Sequence, residues 1–260
     1  MIFEKKAAKM RIARFSLNGE PKYGIVDGPE LVVLKGHPLV QGYDTTGERV
    51  AIKEVKLLAP TIPSKVVCVG KNYADHAAEL GLTQNDEPTI FFKPSSSIVG
   101  PGDAIVLPRQ SKQVELEVEL TVVINSITKD VTPEQALEHI WGYTIANDVT
   151  ARDLQFSDDQ WARSKGFDTF CPLGPWIETE FVPDDQQIVS RINGEQVQED
   201  AVSGMTHDIA TIVSYVSQNM TLLPGDIILT GTPSGISKLS SGDIVECEIE
   251  GIGTLLNPVH

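Results

Sequence analysis

Three carboxylates fall within six residues at Glu115-Leu116-Glu117-Val118-Glu119-Leu120. Alternate side chains of a strand share a face. Leu116, Val118 and Leu120 are therefore predicted to enter a core, while Glu115, Glu117 and Glu119 line the opposite face about 7 Å apart. Carboxylates held this way repel one another unless water or a cation screens them. The plain reading of such a pattern is the solvated side of an amphipathic strand. Two features count against it. The run continues as Val122-Val123-Ile124, apolar on both faces, so the strand is directed into the interior. A second strand end follows at 143–148 and closes on Asn147-Asp148. Two Glu and one Asp, with no His or Cys nearby, make an all-oxygen donor set. Such a set suits Mg²⁺ or Mn²⁺ better than Zn²⁺ and leaves positions open for water or substrate oxygens.

A second group lies at Gly70-Lys71-Asn72-Tyr73-Ala74-Asp75-His76-Ala77-Ala78-Glu79. His76 and Glu79 stand three apart, on one face of a helix. A carboxylate beside an imidazole raises its basicity and fixes its tautomer, as a general base for water requires. An ordinary surface pair is the alternative. The polar segment 82–88 that follows is a candidate lid. Residues 150–155 and 163–170 supply Arg152, Gln155 and Lys165, donors suited to carboxylates and oxyanions. Thr230-Gly231-Thr232-Pro233-Ser234-Gly235 offers hydroxyls and backbone N–H groups to an anion, or is a plain tight turn. Phosphate-loop, dinucleotide, H-E-x-x-H and G-x-S-x-G signatures are missing, which disfavours nucleotide chemistry and a common serine hydrolase.

The elements that must position these residues are mostly short strands. Runs at 11–16, 23–26 and 30–34 form a small N-terminal β unit, and 36–47 reads as loop. The proline-bearing stretch 57–63 is the junction into the main domain. Further strands are expected at 65–69, 89–93, 104–107, 116–124, 143–147, 187–192, 226–230 and 244–249. Helices are expected at 73–80 with Gly81 as stop, after the capping signal Thr132-Pro133-Glu134-Gln135, and at 207–220. The balance is strand-rich α+β.

The chain has 260 residues and a formal net charge of −15. No basic face for nucleic acid shows, and no apolar run is long enough for a membrane helix. Residues 1–9 are basic without the apolar core of a signal peptide and read as a short extension. The three cysteines, Cys68, Cys171 and Cys247, lack zinc or redox spacing and read as buried free thiols in a reducing cytoplasm.

Taken in order, these segments resemble the fumarylacetoacetate hydrolase family. The matching pieces are 70–79, Phe92-Lys93-Pro94-Ser95, Glu117-Val118-Glu119-Leu120 with Val122-Val123-Ile124, 147–155, 165–169, Leu223-Pro224-Gly225-Asp226, 230–235 and the C-terminal Glu250-Gly251-Ile252-Gly253 with Asn257-Pro258. The resemblance spans about Pro60 to the end. It implies a catalytic β-roll or pseudo-barrel over 61–260, behind a small N-terminal β domain at 1–60, in a homodimer. It implies Mg²⁺ or Mn²⁺ on Glu117, Glu119 and Asp148, with Glu115 outside the ligand set. It assigns His76, Glu79 and Lys165 to catalysis and Arg152, Gln155, Thr232 and Lys93 to binding a small anionic keto acid, and leaves Lys71 without a clear role. The expected reaction is C–C hydrolysis of an acylpyruvate such as fumarylpyruvate or acetylpyruvate, releasing pyruvate. Oxaloacetate decarboxylation and 2-hydroxyhepta-2,4-diene-1,7-dioate isomerisation are the alternatives on the same scaffold.

Overall fold

A computed structural model describes residues 10–260 apart from 82 and 84. The expected extension at 1–9 and two positions of the candidate lid therefore lie outside the described residues. The fold is strand-rich α+β around one large mixed sheet. Its path runs Thr45–Ala51, Glu30–Leu34, Glu20–Asp27, Arg11–Leu17, Cys171–Glu178, Ile140–Asn147, Val118–Ile124, Ile227–Leu229, Val66–Gly70 and Thr89–Lys93. The N-terminal strands join this sheet directly, through the pairs Arg11–Glu178 and Ile12–Ile177. Val118–Ile124 is buried at every position, because a central strand covered on both faces needs a nearly continuous apolar run. A second sheet of four strands packs beside it: Glu195–Ala201, Gln187–Ile192, Ile244–Ile249 and Gly253–Pro258. The helix Ile209–Asn219 starts on the Asp208 side chain, which accepts from Thr211 N at 2.8 Å, and buries Ile209, Ile212, Val213 and Val216. No helix among the described residues is long and apolar enough to cross a membrane.

The site depends on how strand ends coincide. Val118–Ile124 runs antiparallel to both Ile140–Asn147 and Ile227–Leu229, and the latter runs parallel to Val66–Gly70. The start of the first strand and the ends of the other three thus meet at one edge. Where one strand was expected at 116–124, the chain forms two, broken at Glu117. Val114–Leu116 leaves the large sheet and pairs with Thr150–Ala151 and Ser237–Lys238. The break is stabilised locally: Glu117 N donates to Asn147 Oδ1 at 2.9 Å, and Asp148 N donates to Glu117 O at 2.8 Å. The expected strand at 104–107 is reduced to a single bridge between Ile105 and Val259. The stretch read as loop at 36–47 contains a short helix, Pro38–Gln41, and the start of Thr45–Ala51. The capping box at Thr132 is present but opens only one helical turn, Pro133–Ala136. Cys68, Cys171 and Cys247 are free and buried, and burial pushes the Cys171 thiol up to about 12.

Asp226 closes the edge opposite the site. It accepts from Ser64 N at 2.9 Å, Ser64 Oγ at 2.7 Å and Leu223 N at 2.8 Å, and pairs with Lys65 Nζ at 2.5 Å. Burial alone would raise its pKa, but Lys65 and these donors hold it below its ordinary 3.8. Asp226→Asn is expected to cost about 2 kcal/mol at neutral pH by urea unfolding. Because the folded pKa is depressed, that contribution is full above 3.8 and is lost as pH falls through the folded value. Wild type and variant should therefore converge in acid; a gap that stays constant with pH would assign the effect to packing.

Candidate active site

Glu117, Glu119 and Asp148 are buried, and one carboxylate oxygen from each lies within 4.8 Å of the others. They sit at the strand break, on the next alternate position, and just beyond the neighbouring strand end. Lys165 bridges two of them, with Nζ at 2.7 Å from Glu117 Oε2 and 2.6 Å from Asp148 Oδ2. Arg152 donates through Nε to Glu115 Oε2 at 2.7 Å and through its terminal nitrogens to Glu117 and to Gln155 Oε1. Glu115 thus faces a guanidinium and lies apart from the three-carboxylate group.

The charges are strongly coupled. Burial works against ionisation of Glu117, but the Lys165 ammonium and the Arg152 guanidinium hold it well below the usual carboxylate range. Glu119 moves the other way: burial, then the charges of Asp148 and Glu117, push it well above that range. Burial opposes the Lys165 charge, yet Asp148 and Glu117 raise its pKa. Among the described residues no cationic side chain pairs with Glu119, whose Oε2 accepts from Gly231 N at 2.6 Å. Three convergent oxygens with positive charge wanting at one of them fit a hard divalent cation such as Mg²⁺ or Mn²⁺. Glu117, Glu119 and Asp148 are the residues that would hold it.

His76 enters from the short helix Ala74–Glu79, which ends before Gly81 at φ 66°. Its Nδ1 lies 3.2 Å from Glu79 Oε2, and Glu79 Oε1 accepts from Gly235 N at 3.2 Å. Glu79 therefore fixes Nδ1 as the protonated ring nitrogen and leaves Nε2 to exchange a proton. His76, Lys71, Arg152, Gln155, Lys165 and Thr232 line one narrow cleft with the three carboxylates. Lys93, expected among the substrate contacts, is not one of the lining residues. Its ammonium is fully buried behind Asp148, 2.5 Å from Oδ1 and 3.1 Å from Val149 O, as a desolvated cation requires. A larger apolar groove lined by Leu137, Tyr143, Phe181 and Ile209 shares no residue with this cleft and offers no proton-transfer pair.

Several supporting residues escape a reading of the sequence. Gln198 is buried in the second sheet; its Oε1 accepts from Val118 N at 3.1 Å and its Nε2 donates to Thr232 Oγ1 and Pro233 O, each at 2.8 Å. Asn72 donates to Thr230 O at 2.8 Å and accepts from His207 N at 2.8 Å. Trp161 lies over Gly70, where an added Cβ would come within 2.9 Å of the ring. Gly231, at φ 103°, has the same restriction, since a Cβ would meet Asn72 Cβ at 2.7 Å.

The fumarylacetoacetate (FAA) hydrolase C-terminal model matches residues 65–260, and an "Rv2993c-like, N-terminal" model matches 10–60. The human protein named oxaloacetate tautomerase FAHD2A, mitochondrial, is 47% identical over 219 residues, covering 79% of this chain and 70% of that protein. The crystal structure of 2-hydroxyhepta-2,4-diene-1,7-dioate isomerase from Mycobacterium marinum has a TM-score of 0.89 at 46% identity, covering 96% of this chain and 98% of that one. Fumarylacetoacetate hydrolase from Exiguobacterium antarcticum has a TM-score of 0.86 at 40% identity, covering 96% and 99%.

Ion binding is testable without a substrate. Added Mg²⁺ or Mn²⁺ should raise the melting temperature with concentration, reversibly by EDTA, as a ligand of the folded state does. Glu119→Gln should weaken Mn²⁺ binding, read by electron paramagnetic resonance, by about tenfold or more. An unchanged affinity would remove Glu119 from the ligand set.

Proposed function

The chain belongs to the fumarylacetoacetate hydrolase family, and on that footing we propose that it is a divalent-metal-dependent enzyme that interconverts the enol and keto forms of a short 2-oxo acid, with oxaloacetate the first candidate. The observation that carries this reading is one cleft in which a His–Glu pair faces an all-carboxylate cation site and its paired ammonium. The relative named as an oxaloacetate tautomerase and the neighbour named as an isomerase both support proton transfer over hydrolysis.

The bound cation would supply electrophilic stabilisation to substrate oxygens. The remaining roles belong to the chain. Lys165, held beside Glu117 and Asp148, presents positive charge where an enolate oxygen develops. His76 takes the enol hydroxyl proton at Nε2, the C2–O bond becomes a carbonyl, and a proton is returned to C3. Glu79 stabilises the imidazolium formed between the two transfers. Arg152 keeps Glu117 ionised and Gln155 in place. We further take the enzyme to act as a cytoplasmic homodimer, which sedimentation of the purified protein would check for assembly.

A second reading, acylpyruvate hydrolysis, uses the same pair to draw a proton from water. It is favoured by the double anchoring of Glu79 to His76 and Gly235, which suits a general base. Enol absorbance separates the readings. Decay of enol oxaloacetate should be accelerated with Mg²⁺ or Mn²⁺, stopped by EDTA, and slowed about 100-fold or more by His76→Ala, with no pyruvate formed. Pyruvate released from acetylpyruvate, with solvent ¹⁸O in the co-product, would replace this reading by the hydrolase. Pyruvate from oxaloacetate alone would replace it by the decarboxylase.

A further inference from the structure

We propose that Lys71 is the specificity-determining residue of this cleft, its ammonium taking the second carboxylate of a dicarboxylic 2-oxo acid. The inference rests on the 2-oxo acid reading above and adds which end of the substrate is recognised, and by what.

The first ground is pairing. Of the cationic and imidazole side chains lining the cleft, Lys165 is held by Glu117 and Asp148, Arg152 by Glu115 and Glu117, and His76 by Glu79. Among the described residues Lys71 is the one cation lining the cleft with no hydrogen bond or ion pair of its own. The second ground is backbone conformation. Lys71 adopts φ 61°, a region that disfavours any residue with a Cβ and usually goes to Gly or Asn. The residues on either side are restricted. A side chain at Gly70 would meet Trp161, and Asn72 is fixed by bonds to Thr230 O, His207 O and His207 N. A lysine there gains nothing from a partner in the fold, so the side chain answers to something the cleft receives.

The third ground is charge. With all four carboxylates ionised, as a bound cation requires, Glu115, Glu117, Glu119 and Asp148 stand against three cations, Lys93, Arg152 and Lys165, which leaves one negative charge before the ion is counted. A divalent ion turns that into one positive charge, which a monocarboxylate neutralises. A second carboxylate restores one negative charge inside the cleft, and Lys71 is the group placed to balance it.

The test uses the Mg²⁺-loaded protein and two unreactive 2-hydroxy acids that differ by one carboxylate, malate and lactate, with binding read by calorimetry. Wild type should bind malate about tenfold or more tighter than lactate. Lys71→Met should erase that preference by weakening malate, and Lys71→Arg should restore most of it. Lys71→Gly should lose the preference while raising the melting temperature, since it relieves the backbone; a purely structural lysine would lower it. Equal binding of the two acids by wild type, or equal weakening of both by Lys71→Met, would overturn the proposal. Discrimination without any turnover would leave it standing and remove the tautomerase reading, while turnover without discrimination would do the reverse.

Discussion

Burying four carboxylates in one place is possible only if positive charge is buried with them, and most of the chain around the cleft is arranged to meet that condition. Each carboxylate alone would cost several kcal/mol to desolvate. Lys93, Arg152 and Lys165 reach the group from three separate segments, each nearly inaccessible to solvent. Two opposed consequences appear side by side. Glu117, with two cations on it, is held well below the usual carboxylate range, and Glu119, with no paired cation among the described residues, is pushed well above it. The two neighbouring carboxylates therefore sit in opposed surroundings, with positive charge wanting beside Glu119.

The strand break at Glu117 follows from the same condition. A continuous strand places alternate residues about 7 Å apart on one face. At the interruption the Glu117 and Glu119 carboxylates converge with that of Asp148. The N–H groups released by the interruption are not left bare. Glu117 N goes to the Asn147 amide and Val118 N to the Gln198 amide. Two side-chain amides thus do what ladder carbonyls do elsewhere, a necessity for buried backbone donors.

The charged residues were legible in the sequence because charge is conspicuous in an apolar run. Glu117 and Glu119 stand in an otherwise buried strand, and His76 and Glu79 share a helical face. Pairings were not legible: nothing in the spacing says that Lys93 turns behind Asp148 while Lys71 stays at the cleft. Gln198 was hidden for the opposite reason, since Gln-Val-Gln-Glu-Asp reads as an exposed edge although Gln198 is buried. Among the elements, Cys171–Glu178 escaped because Pro172, Gly174 and Pro175 argue against a strand, yet it lies inside the main sheet between Arg11–Leu17 and Ile140–Asn147. Tertiary pairing overrides local preference there, as it does at 36–47.

The amide of Gln198 has a further consequence, in the order of assembly. It ties the site to a sheet formed late in the chain, across 80 residues, and Asn72 makes a comparable tie across 158. Contacts so distant in sequence are slow to close, because loop entropy must be overcome before they contribute. A chain emerging from the ribosome would carry the acidic strand well before Thr232 and Gln198 existed to receive it. The cleft is then among the last features to consolidate, and a protein that has formed it has completed nearly all of its fold.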